Sequence, residues 1–98
     1  MSEQLSTALA LANKDFNLDI PQDQVTTVDE FHLLLTKVIA HLLDNDFERL
    51  LNGLYRIDVS EVKVQMALTL GKNSAEEIAS LIIERELQKV ATRQRYKP

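Results

Sequence analysis

The stretch Thr26–Asn45, TTVDEFHLLLTKVIAHLLDN, decides the fold class. Within it Val28, Phe31, Leu34, Leu35, Val38, Ile39 and Leu42 recur at the three- and four-residue spacing of an α-helix. Thr27, followed three residues later by Glu30, is a capping-box pattern that predicts the helix start, and the helix should run over residues 27–44. The apolar arc covers about half the circumference, against the ~100° stripe of a simple surface helix, so this helix is expected to lie centrally.

Working toward the C-terminus, Asp44-Asn45-Asp46 offers a stop and a new N-cap. Phe47, Leu50, Leu51, Leu54 and Ile57 then share one helical face, which predicts a second helix over 46–57, with Gly53 at its edge allowing close helix contact. Residues 61–70 give conflicting signals. Val62, Val64, Met66, Leu68 and Leu70 alternate with more polar neighbours at the period of a strand. Helix is nevertheless expected, because the cap-like Asp58-Val59-Ser60-Glu61 precedes the segment, Gly71 follows it, and no second good strand exists to pair with. A helix apolar on both sides should be buried between neighbours or between subunits. Ser74 and Glu77 form another capping-box pattern and open a long last helix over 75–92, apolar over most of its circumference at first and only at Leu87, Val90 and Ala91 later, so its end should project.

Toward the N-terminus, Leu5, Ala8, Leu9, Ala12 and Phe16 mark a short amphipathic helix, and Asn17 to Gln24, with Pro21, reads as an extended connection. The expected architecture is therefore all-α: one small helical bundle of four or five helices with a long C-terminal helix. The single domain, 1–98, divides into an N-terminal helix and connection (1–26), a core (27–92) and a basic tail (93–98). Length agrees, since 98 residues suit one domain and not two. Leu, Ile, Val and Phe together number 32, enough to build a core.

Composition excludes several chemistries. With no Cys there is no disulfide frame, thiolate metal site or cysteine nucleophile. Two glycines cannot build a dinucleotide loop, and Gly71-Lys72-Asn73-Ser74 fails as the end of a phosphate loop because Met66 stands where the first glycine belongs. His32 and His41, nine residues apart on one helix, point about 180° apart and cannot share a metal ion. Asp44-Asn45-Asp46 fails as a calcium loop because Arg49 occupies the glycine position and Tyr55 the closing carboxylate position. No cofactor or metal is expected. The longest uncharged stretch, Gln4 to Asn13, can neither span a bilayer nor form a convincing signal peptide, so a cytoplasmic protein without a membrane partner is expected.

Charge is distributed unevenly. Residues 1–48 carry nine acidic and two basic side chains, whereas residues 49–98 carry six acidic and nine basic ones. In the last helix Arg85, Lys89, Arg93 and Lys97 follow at four-residue intervals beside Tyr96, a cationic stripe that is either solvated or docks an acidic protein surface. A helix-turn-helix built from residues 61–70 and 75–90 is refused, because Ala75-Glu76-Glu77 would put carboxylates where base edges and phosphates require donors.

The pairing of Leu54-Tyr55-Arg56-Ile57-Asp58-Val59 with Leu81-Ile82-Ile83-Glu84-Arg85-Glu86-Leu87-Gln88-Lys89 resembles small, uncharacterised all-helical bacterial proteins over roughly the C-terminal half. That resemblance implies no activity and transfers no site. The expectation for function is a non-catalytic interaction or regulatory module that self-associates as a dimer, with Arg85, Lys89, Arg93, Tyr96 and Lys97 as candidate partner-binding residues. The rivals are a small enzyme with a polar pocket near Tyr55 and Arg56, and a weak nucleic-acid binder using the basic last helix.

Overall fold

In a computed structural model that describes residues 2–95, the conflict over residues 61–70 resolves as helix. Five α-helices follow in order: α1 (Glu3–Phe16), α2 (Val28–Asn45), α3 (Phe47–Ile57), α4 (Glu61–Leu68) and α5 (Ser74–Arg95), with 3-10 turns at Gln22–Gln24 and Gly71–Asn73. The fold is an all-α bundle with a long C-terminal helix.

Local chemistry sets the boundaries. Thr27 caps α2 by accepting the Glu30 amide, and Glu30 reaches back to the Thr27 amide at 3.1 Å, so the capping box is complete. Hydrogen bonds from the Thr26 hydroxyl and amide, then from Thr27, hold the Glu30 carboxyl below its ordinary value. Thr27→Ala is expected to lower stability by about 1 kcal/mol, read as a shifted urea midpoint at unchanged slope. Asp46 ends α2 and caps α3, accepting the Arg49 amide on its carboxylate, so the acidic cluster is a helix break. Ser60 caps α4 in the same way. At the other ends, Asn17 (φ 55°) and Asp58 (φ 61°) take the left-handed conformation that closes α1 and α3, and both are residue types that tolerate it.

Two boundaries depart from expectation. α4 ends at Leu68, and Gly71, with φ 63°, turns the chain only after a further short turn. Ser74 lies inside the first turn of α5, where its hydroxyl donates to the Ala67 carbonyl at 2.8 Å. With helical backbone angles of its own, Ser74 ties α5 to α4.

The expectation that α2 lies centrally is corrected. Only Phe31, Leu35, Ile39 and Leu42 are buried on α2, a narrow stripe, while Val28 and Leu33 face solvent. The central helix is α5, which packs against α1, α2, α3 and α4. Its first half buries Ile78, Ala79, Ile82 and Ile83, and burial continues to Val90 before Ala91 emerges. The segment before α2 belongs to the same core, with Ile20 and Val25 buried. Asn13 secures that connection by a two-way amide bond, donating to the Ile20 carbonyl and accepting the Ile20 amide, each at 3.0 Å.

Where α1 crosses α3, Gly53 is buried under the ring of Phe16. A Cβ on Gly53 would stand 2.1 Å from the ring. Absence of a side chain is therefore what lets these two helices approach.

Candidate functional site

Two cations of the stripe on α5 are engaged within the bundle. Arg85 turns toward α3, its Nε donating to the Ile57 carbonyl at 2.8 Å, so it satisfies an acceptor at the C-terminal end of that helix. Lys89 turns toward α1, its Nζ standing 3.1 Å from Asp15 Oδ2 and 3.2 Å from Glu86 Oε1. Arg93 is exposed, and Tyr96 and Lys97 lie outside the described residues. The helical period aligned these cations, but it could not show that an acid on α1 would draw one of them inward.

Asp15, Glu86 and Lys89 form the most unusual polar constellation among the described residues. Glu86 is fully buried at 0% exposure, and Asp15 is buried at 9%. Neither Glu86 oxygen has a well-directed hydrogen bond, although Lys89 lies close by. Burial, then the close approach and charge of the Asp15 carboxyl, push the Glu86 carboxyl up to about 7, while Lys89 opposes the rise. Neither carboxylate was singled out from the sequence, yet a signal was there. Glu86 falls four residues after Ile82 and four before Val90, and Asp15 falls four after Leu11, so both acids occupy positions on buried faces.

His32 lies half-buried at the edge of the core. Its Nε2 lies 2.9 Å from the Glu76 carbonyl, to which it donates, and 3.0 Å from the Ser80 hydroxyl, joining α2 to α5. His41 instead meets Asn45 on its own helix.

A second feature is apolar. α4 buries only Val64 and Ala67, so the expectation that its two apolar sides are both covered is corrected within the single chain. Val62 and Met66 are each 65% exposed, four residues apart on one outward face, and Leu68 and Leu70 are also exposed. Beside α4, toward α3, runs a groove of about 340 Å³ walled by Phe47, Leu51, Leu54, Tyr55, Val64 and Leu68. Tyr55 crosses its rim, the hydroxyl donating to Glu61 at 3.1 Å. The surroundings of Tyr55 are thus mainly apolar, and Arg56 is exposed outside the groove lining.

No protein-family model, curated protein or solved structure matches the chain. Among the described residues, no helix is long and apolar enough to cross a membrane, and no group of three or more His, Cys, Asp or Glu side chains is placed to hold a metal ion.

Proposed function

We propose that the chain is a small non-catalytic interaction module that self-associates through the outward face of α4. The observation that supports this is the poor coverage of that helix: Val62, Met66 and Leu70 face outward beside an apolar groove, whereas Val64 and Ala67 are the only residues α4 buries. Apolar clusters of this kind on small domains mark interaction surfaces, and each large side chain removed from water contributes about 1.5–3 kcal/mol.

Charge favours a second copy as the occupant. Glu61 sits on the α3 flank of this face, and Lys63 on the α5 flank beside Leu81 and Glu84. Two copies related by a two-fold axis parallel to α4 set each Glu61 against the other copy's Lys63. An isologous dimer follows, with the groove partly filled by the partner's α4.

Light scattering at micromolar concentration is expected to give about twice the monomer mass of 11.2 kDa. Met66→Glu, at an exposed position, should return the protein to a monomer whose helical circular dichroism is unchanged, with a melting temperature that no longer depends on protein concentration. A monomer across the accessible concentration range, or a dimer indifferent to Met66→Glu, sinks the proposal.

A further inference from the structure

We infer that Asp15, Glu86 and Lys89 are a proton-controlled clasp between the first and last helices, in which Glu86 is protonated while α1 is packed on α5 and loses its proton to solvent when the two separate. The geometry carries this. Two carboxyl groups meet one ammonium group, Lys89 bonding Asp15 at 3.1 Å and touching Glu86 at 3.2 Å, with the Glu86 side chain wholly sealed from water. If both acids ionise, a net negative charge is enclosed on a carboxylate whose oxygens have no well-directed donor. Placing a proton on Glu86 removes that charge and leaves the Lys89–Asp15 pair balanced.

Two charged groups act on Glu86: Asp15 from α1, which disfavours its ionisation, and Lys89 from α5 itself, which favours it. Among the described residues, α2, α3 and α4 present no charged group that acts on it. Burial and Asp15 together outweigh Lys89, which puts the folded carboxyl at about 7 against an ordinary 4.5. Because the folded value is raised, the folded chain binds more protons than the unfolded chain between these two limits. Stability from this group is fully present below about 4.5 and is lost as pH rises through about 7. The clasp therefore loosens on the alkaline side of neutrality and tightens under mild acid, a response opposite to that of an exposed, salt-bridged carboxylate.

Carbon-detected NMR titration of the intact wild-type chain tests this directly, with the Glu86 carboxyl assigned through its own backbone. The expected midpoint is near 7, and one near 4.5 would overturn the inference. Urea unfolding of wild type and Glu86→Gln supplies the second readout. The wild-type unfolding constant is expected to rise roughly twentyfold from pH 5.5 to 7.5, as linkage to one proton allows. Glu86→Gln, which keeps shape but carries no charge, should show a flatter response. An identical pH response in the two proteins would also overturn the clasp, and the NMR midpoint decides if Glu86→Gln fails to fold.

Discussion

Lys89→Met is expected to destabilise the bundle by about 3 kcal/mol at pH 7.5, because it removes the cation from a buried cluster and leaves its acids unpaired. The figure sits at the low end for broken buried ion pairs because Lys89 is partly open to water, its side chain 24% exposed, and because Glu86 escapes part of the penalty by holding a proton. For a domain this size the loss corresponds to a melting temperature lowered by more than about 10 °C. Asp15, buried at 9%, cannot relax into solvent without disturbing the end of α1. The effect should shrink toward pH 5.5, where Glu86 is neutral with or without Lys89 and only the pair with Asp15 is lost. Arg93→Gln, at an exposed position on the same helix, is the control and should change stability by no more than about 0.5 kcal/mol. Equal, small effects of the two substitutions would return Lys89 to the solvated stripe and remove the ionic link between α1 and α5.

That link also explains how far the sequence could be read. Element type was readable because it rests on local pattern: the Thr27–Glu30 box, the Asp46 cap and the spacing of Phe31, Leu35, Ile39 and Leu42 each act over a few residues, and each is realised. Residues 61–70 show where the pattern misleads. Alternation of Val62, Val64, Met66 and Leu68 resembled a strand because the outward face of α4 is apolar, so burial and hydrophobicity do not coincide there. Which helix is central was not readable, since α2 and α5 both carry broad apolar arcs and only tertiary packing decides which is surrounded. The inward contacts of two cations of the stripe were unreadable for the same reason. Arg85 and Lys89 find their partners, Ile57 and Asp15, 28 and 74 residues away in sequence, and helical periodicity carries no information over such separations.

Gly53→Ala should be destabilising by up to about 2 kcal/mol, although the same change at an open helix position would be stabilising. Ala is the better helix former by about 1 kcal/mol, and Gly53 lies within α3. Against that gain, the new methyl would stand 2.1 Å from Phe16 Cδ1 and 2.2 Å from Cε1, both atoms of a rigid ring. Phe16 is 1% exposed, so its ring has no free volume into which to retreat, and either α1 must lift from α3 or the ring must leave its rotamer. Overpacking of this kind typically costs about 1–3 kcal/mol and here must first cancel the propensity gain. The discriminating measurement is a double-mutant cycle with Phe16→Leu. The smaller side chain alone opens a cavity and destabilises, but in combination the methyl introduced by Gly53→Ala occupies part of that space, so the combined penalty should fall short of the sum of the two by about 1 kcal/mol or more. Strict additivity would mean that the glycine is tolerated at this crossing for some reason other than the ring lying over it, and an increase in stability for Gly53→Ala alone would mean that α1 and α3 do not approach as closely as the packing of Phe16 requires.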